Sequence, residues 1–323
     1  MLDVPYRAHT LKLTNPLRYP GSKASFSSSV GAFVTACGYT GFEIVEPFAG
    51  SASVSIDLVS SGVCSKATLI ERDPLLYAFW HAVFFNTQQL CNKIKKLSVD
   101  LATWHELRPL LMIKSPDEYE LLDLAVAGLF FNRTNFSGVL HAGPIGGQQQ
   151  KSAYKVNCRF NKDDLIARIR AISKLQDRIE VIFSDALEYL EKQNGEEKQN
   201  RFYYVDPPYF VQGEKLYRYS FELSQHKQLA KALRDLKAPW LLSYDRHPVI
   251  EMLYERYVSS GFEFKYSSKT RKIEREFLVT NIKLPKNLST ENPQSKPSAI
   301  HKRRAAPPIN ATENFHDLFG LIS

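Results

Sequence analysis

The sequence is short of the features that would make it a disulfide scaffold, a zinc protein or a membrane protein. Its four cysteines, Cys37, Cys64, Cys91 and Cys158, lie far apart. None forms a CxxC pair and no histidine cluster joins them at zinc-ligand spacing, so no metal is expected and the thiols read as reduced. The opening MLDVPYRAHTLKL has no apolar signal-peptide core, and no apolar run is long enough to span a bilayer. A soluble, cytoplasmic protein without a membrane partner is the expectation. There is no internal repeat. There is no GxGxxG either, because Ala52 and Val54 stand where that motif needs glycine or close packing, and Gly50–Val54 lacks the closing glycine of a GxSxG elbow.

What is present is an ordinary apolar content, 44%, with a formal charge of +8 and a pI near 9.1. Such a balance favours polyanion partners, although a basic protein is more often simply soluble. The excess is localised. From Phe131 to Leu175 there are eight lysines and arginines against two acids.

Short β-rich runs at Phe42–Glu46, Ala67–Glu71, Arg178–Ser184, Arg201–Val205, Pro239–Tyr244, Phe262–Tyr266 and Glu276–Ile282 read as strands. Amphipathic stretches such as Ser51–Ser61 and Ser224–Leu236 alternate with most of them, which argues for a parallel, doubly wound α/β sheet. The last two runs, separated by the polar Ser267–Arg275, suggest an antiparallel hairpin at the sheet's edge. Between about Leu75 and Gln176 the pattern is helical (Leu101–Ile113, Glu118–Phe131) with a Gly/Gln-rich loop at His141–Gln150 and no clear strand. That is too long for a connection and reads as an inserted helical subdomain. The expected organisation is a main domain of 13–74 and 177–284, an insertion of 75–176, and a basic, disordered tail of 285–323 carrying Lys302–Arg304.

Four motifs carry chemistry. Asp206-Pro207-Pro208-Tyr209 follows the strand Phe202–Val205 directly. Two prolines cannot continue a ladder, so they hold the chain in a rigid turn at the edge where open α/β sheets bind ligands. An acid, a fixed carbonyl and an aromatic ring suit an exocyclic amine such as that on adenine C6, whose lone pair is delocalised. The Asp206 carboxylate and the Pro207 carbonyl would accept its two hydrogens while Tyr209 stacks on the base. The bland alternative is a tight Asx-Pro turn with a core tyrosine.

The second motif, Glu46-Pro47-Phe48-Ala49-Gly50-Ser51-Ala52-Ser53, turns a strand into a helix, and the next strand ends in Glu71, placed to take ribose hydroxyls. Third, Arg18-Tyr19-Pro20-Gly21-Ser22-Lys23 sets an aromatic ring and a lysine about a Pro-Gly turn, fit to cover a donor and pair with its carboxylate, or else to open a helix at Ser25. Asp185, after the strand Val181–Ser184, is either a helix N-cap or the acceptor for a nucleoside amine, or both. Fourth, Phe131–Val139 precedes Lys151, Lys155 and Arg159, interleaved with Tyr154 and Phe160. This arrangement suits phosphate contact and base stacking, or is a solvated basic face. Lys269–Lys272 is a weaker second candidate.

In this order, YPGSK, EPFAGSAS, an acid-ended strand, FNRTNFSG, DPPY and LLSYD closely resemble the Dam-type class of DNA adenine-N6 methyltransferases, from about Leu17 to Lys283. The resemblance implies a Rossmann-like, seven-stranded mixed sheet with a helical target-recognition subdomain. It also implies S-adenosylmethionine as methyl donor, double-stranded DNA as partner, and flipping of the target base. Donor contacts are implied for Tyr19, Lys23, Pro47, Phe48, Gly50, Glu71 and Asp185, with Asp206 near both donor and target. Arg133, Asn135 and Phe136 match positions where the family meets DNA, Phe136 being able to fill the helix beside the flipped base. The chain departs from the family in Ser22 within PGSK, in Ala52 where FxGxG has glycine, and in Glu71 where aspartate is usual. His141–Gln150 has no counterpart in the GATC-methylating members.

Cytosine N4 poses the same chemical problem as adenine N6 and is the nearest rival, but motif order and the initial aspartate of DPPY favour adenine. Glutamine methyltransferases usually carry asparagine at the place of Asp206. A catalytically silent DNA-binding relative would have no need of an intact DPPY and Lys23. A cognate restriction endonuclease is a further candidate partner.

Overall fold

The computed structural model describes residues 13–18, 26–193, 200–210, 219–260 and 276–285. Tyr19, Lys23, the run Phe262–Tyr266, the Lys269–Lys272 segment and the tail beyond residue 285 lie outside the described residues. Residues up to Ser289 belong to one compact unit.

The strands β1 (Glu43–Glu46), β2 (Lys66–Glu71), β3 (Ile179–Phe183), β4 (Arg201–Val205) and β5 (Trp240–Asp245) run parallel to one another. β6 (Val258–Ser260) and β7 (Glu276–Thr280) complete one mixed sheet in the order β3-β2-β1-β4-β5-β7-β6. β7 is antiparallel to β5 on one side and to β6 on the other. β6 lies before the expected run Phe262–Tyr266. At a sheet edge, pairing partners outweigh the local apolar signal, and here Val258 pairs with Thr280.

The central strands read as almost unbroken apolar runs because helices cover both faces. Ile44, Leu69, Phe202, Tyr204 and Leu241 face one cluster with α1 (Ser27–Ala36), α2 (Ser53–Ser60) and α3 (Pro74–Phe85). Val45, Ile70, Tyr203, Val205, Leu242 and Tyr244 face the other, under the helices Ala186–Gln193 and Leu223–Asp235.

The interval between β2 and β3 is helical, with no strand. Asp73 caps α3 by accepting from the backbone of Leu75 and Leu76, and Pro74 sits at the first helical position, where no donor is lost. α4 (Thr87–Lys96) follows. Pro109 ends α5 at Leu107 (Leu101–Leu107), so the expected helix to Ile113 continues only as a 3-10 turn, Arg108–Met112. α6 (Leu121–Thr134) packs on α3 so closely that a Cβ on Gly128 would stand 2.6 Å from the Leu75 carbonyl. The interval has no core of its own. Phe79, Trp80, Leu129 and Phe130 join the same buried cluster as Val54 and Leu69 of the sheet layer.

Candidate active site at the carboxyl edge of the sheet

From β1 the chain winds outward through β2 and β3, and from β4 it winds the other way to β5. The switch point therefore lies between β1 and β4. In open α/β sheets the crevice beyond the carboxyl ends of such a pair is where ligands bind. The loops that flank it are Pro47–Ala52, after β1, and Asp206–Phe210, after β4.

An acid stands at or just past the carboxyl end of each parallel strand: Glu46, Glu71, Asp185, Asp206 and Asp245. Most of them organise the edge itself. Glu46 is buried and its Oε2 accepts from the Ser55 backbone at 3.3 Å and the Ser55 hydroxyl at 2.5 Å, tying β1 to α2. Glu71, also buried, accepts from the amides of Gly50 at 2.9 Å and Asp73 at 2.8 Å. It thus staples the β1 loop to the end of β2, a role in addition to the ribose contact expected for it. Burial pushes the carboxyl of Glu46 up to about 8 and that of Glu71 to about 7, against the hydrogen bonds they accept.

The β1 loop turns tightly. Gly50 has φ 46° and Ala52 φ 48°, both left-handed. The Gly50 carbonyl receives the Trp80 indole at 2.8 Å. Asn15 reaches in from the N-terminal segment, donating to the Ser51 carbonyl at 2.6 Å. Phe48 is half-buried and meets Phe221 edge-on at 5.6 Å.

Asp185 serves as an N-cap, accepting from the Leu187 amide at 2.8 Å, and its other oxygen pairs with Arg72 at 3.0 Å. The Arg72 guanidinium in turn lies over the Tyr219 ring, 4.5 Å from its centre. These three residues line a cleft of about 1210 Å³ that opens toward His105, Arg108 and His141 of the helical interval.

In the β4 loop Pro207 and Pro208 are buried, while Asp206 and Tyr209 are half-buried. The Ser243 hydroxyl donates to Asp206 Oδ1 at 2.9 Å. Asp245 holds the loop from β5 by accepting the Phe210 amide at 2.9 Å. Tyr209 stacks on Tyr244, with ring centres 6.2 Å apart and planes 30° from parallel. Tyr244 is backed by the buried His226, whose Nδ1 shares a short hydrogen bond with the Tyr244 hydroxyl. Burial pushes His226 down to about 4, so its ring is neutral at physiological pH.

The FNRTNFSG motif divides into two uses. Asn132 is buried and clamps Arg18: its Oδ1 accepts the Arg18 amide at 2.7 Å and its Nδ2 donates to the Arg18 carbonyl at 2.7 Å. Gly138, at φ +80°, lies under the same carbonyl, and a Cβ there would come within 2.4 Å of it. The motif thus grips the residue immediately before Tyr19. Asn135, expected at the DNA face, is interior. It accepts from the Trp104 indole at 2.7 Å and donates to the Leu140 carbonyl at 2.7 Å. Arg133 is also interior, only 8% exposed, because α6 turns it toward the core. Its Nε has no partner among the described residues, nor do Arg18 Nη1 and Arg168 Nε. Burial is the largest cause that lowers the Arg133 guanidinium, and the nearby charges of Arg168, Arg18 and Arg159 depress it further.

By contrast Phe136 is 71% exposed and Tyr154 65%. Lys151, Lys155 and Arg159, near Tyr154 in sequence, are exposed too. The loop His141–Gln150 is compact. Gln150 Nε2 donates to the carbonyls of Ile145 and Gly147, and its Oε1 accepts the Val156 amide. Sequence reasoning missed Glu46, Asn132, Ser243 and Arg168 as parts of these sites. Asn132 lies within FNRTNFSG and Ser243 within LLSYD, but nothing in either motif says that these are the residues that bond to Arg18 and Asp206. Among the described residues no group of three or more His, Cys, Asp or Glu could hold a metal ion, and no helix is long and apolar enough to cross a membrane.

A family model described as "D12 class N6 adenine-specific DNA methyltransferase" matches residues 19–273. No curated protein matches the sequence. Among solved structures, a putative methyltransferase, yhhF from Escherichia coli, is 13% identical with a TM-score of 0.31, over 82% of this chain and 89% of that one. The rRNA methyltransferase aviRa from Streptomyces viridochromogenes is 10% identical with a TM-score of 0.36, over 81% and 85%.

Proposed function

The chain belongs to the D12 class of N6 adenine-specific DNA methyltransferases, and from that premise we propose that it methylates adenine N6 within a specific double-stranded DNA sequence. The observation that carries the reading is the convergence of the Asp206–Tyr209 turn and the Pro47–Ala52 turn on the one switch point of the sheet. S-adenosylmethionine, the donor that the family implies, supplies a methyl group on a positively charged sulfur. The tight turn at Gly50, the small residues Ala49, Ser51 and Ala52, and Asp206 across the crevice fit such a ligand: no bulky side chain of the turn fills the crevice and the acid complements a cation. Pro47, Phe48 and Gly50 would border it, Glu71 the ribose side, and Asp185 with Arg72 the far end.

Within the crevice Asp206 accepts one hydrogen of the target amine and the Pro207 carbonyl accepts the other. This favours the tetrahedral nitrogen whose lone pair attacks the methyl carbon. Pro208 keeps the turn rigid, and Tyr209, stacked on Tyr244, offers a preset platform for the flipped base. The amine proton leaves after transfer to solvent or to Asp206.

DNA would meet the face carrying Phe136, Lys151, Tyr154, Lys155 and Arg159. Arg133, Arg18 and Arg168 add positive charge near Arg159 from within the fold, which favours a polyanion on this side without a direct contact from Arg133. Asn135 supports this face from inside. The test is base-resolved sequencing of DNA from a methylation-free host that expresses the chain. N6-methyladenine at a fixed position in a fixed motif is expected; N4-methylcytosine, or no mark from a folded protein that binds the donor, would overturn the reading.

A further inference from the structure

We infer that Ser243 is a positioning residue for Asp206, its hydroxyl holding the carboxylate in the orientation that receives the target amine. The inference rests on the role proposed for Asp206 and extends it to a residue on the neighbouring strand.

The placement follows from register. Val205 and Leu242 are the last paired residues of β4 and β5, so the next two, Asp206 and Ser243, fall side by side at the sheet's end. Side chains alternate along a strand, so Tyr204 leaves the same face as Asp206. Ser243 meets both: its Oγ is 2.9 Å from Asp206 Oδ1 and 3.1 Å from the Tyr204 hydroxyl.

The direction of these bonds is determined by counting protons. A serine hydroxyl has one hydrogen and two lone pairs. Its hydrogen goes to the carboxylate, which in its ionised form can only accept. The Tyr204 hydroxyl must then donate to Ser243. The chain runs Tyr204 to Ser243 to Asp206, and each link polarises the next.

Packing alone gives no reason for a hydroxyl here. Ser243 is fully buried in the strand Trp240–Asp245, otherwise apolar up to its terminal acid, and Tyr204 is fully buried too. A buried hydroxyl is costly unless bonded, and alanine or valine would fill a strand as well. Of its two bonds one is with the buried Tyr204 hydroxyl, and the one it donates goes to the half-buried acid at the crevice. The stack of Tyr209 on Tyr244 lies with the cluster on the opposite face of the sheet. The acid and the ring are therefore set from different sides, and Ser243 governs the acid alone.

The experiment measures transfer of tritiated methyl from S-adenosylmethionine to unmethylated genomic DNA by the full chain, its Ser243→Ala and Tyr204→Phe variants, and the double variant. Ser243→Ala should lower kcat about 10- to 100-fold, the cost of a misplaced group, while donor KM moves by less than about twofold. Tyr204→Phe should lose less, and the double variant should be no slower than Ser243→Ala, since Tyr204 acts through Ser243. A Ser243→Ala enzyme with normal kcat, one whose donor KM rises as much as kcat falls, or additive losses in the double variant would each overturn the inference. If Ser243→Ala does not fold, Ser243→Cys, similar in volume and a weaker donor, must show the same loss at unchanged KM. Asp206→Ala in the same assay separates the two ideas. Full activity there defeats the role of Asp206 itself, whereas a dead Asp206→Ala beside a normal Ser243→Ala defeats only the positioning.

Discussion

Asp206→Ala deletes an acceptor that matters most when the target nitrogen becomes tetrahedral, so it should cost about 2.7–4 kcal/mol of barrier, by analogy with removing one oxyanion-hole donor. Steady-state turnover with the fold checked by circular dichroism is the measurement; near-normal turnover would sink the assignment. Glu46, one strand over, makes a different claim. Its carboxyl is held at about 8 by burial, with the nearby charges of Asp206 and Glu71 adding to the rise, against an ordinary value of 4.5. A raised folded value means that the folded state keeps a proton that the unfolded chain releases. The stabilising contribution is full below about pH 4.5 and is lost as pH rises through about 8. Denaturant unfolding should therefore show stability falling from about pH 5 to 8, with a flatter dependence in Glu46→Gln. An identical slope in that variant would exclude the carboxyl as its source. At this scale Asp206 and Tyr209 were legible because the prolines between them advertise a rigid turn at a strand's end. Glu46 and Ser243 were not, since their partners are Ser55 and Asp206, and only the fold brings those together.

The turn from β1 into α2 carries a left-handed alanine at its N-cap, with φ 48° and no side-chain cap bond. Ala52→Gly relieves about 1–2 kcal/mol of that strain and gives up the burial of one methyl, so a net gain of about 0.5–1 kcal/mol is expected. The denaturant midpoint at constant slope reads it directly, and a lower midpoint contradicts it. The segment from Lys151 to Arg159 is a second element with a testable use. Charge reversal at Lys151, Lys155 or Arg159 should weaken binding to every sequence alike and flatten the salt dependence by about 0.9 for each phosphate that is no longer neutralised. Binding isotherms over a salt series decide this; an unchanged slope would make the segment a solvated face. The parallel strands were legible to within a residue or so because burial on both faces writes continuous apolar runs. α5 is shorter than its apolar pattern because Pro109 breaks it, and the pattern alone does not show where a proline ends the α-helical ladder. Arg133 and Asn135, which by resemblance match positions that meet DNA, are buried in the fold. Periodicity along α6, apolar nearly all round, does not say which polar residues the core will accept.

At the scale of the molecule, one buried cluster runs from the sheet through α1, α2 and α3 into α6, with no seam between the methyltransferase layer and the helical interval. Calorimetry should accordingly record a single unfolding transition for residues up to 289, with calorimetric and van't Hoff enthalpies agreeing. Two separated transitions would contradict the shared core and make the helical interval an independently folding unit. The interval's helices could be read from the sequence, but their sharing of the sheet's core could not, because a pattern marks a helix's buried face without naming what covers it. The grip of Asn132 and Gly138 on Arg18 has a practical consequence for anyone redesigning target specificity. A recognition segment transplanted from a relative would carry its own residues at positions 132 and 138, while Arg18 would remain behind in the host scaffold. Any side chain at 138 strikes the Arg18 carbonyl, and any residue but an amide at 132 leaves that backbone unsatisfied. The smallest portable cassette is thus discontinuous: it must take the stretch from Leu13 to Arg18 together with the helical interval, or the graft will loosen the strand of chain that leads into Tyr19 and Lys23.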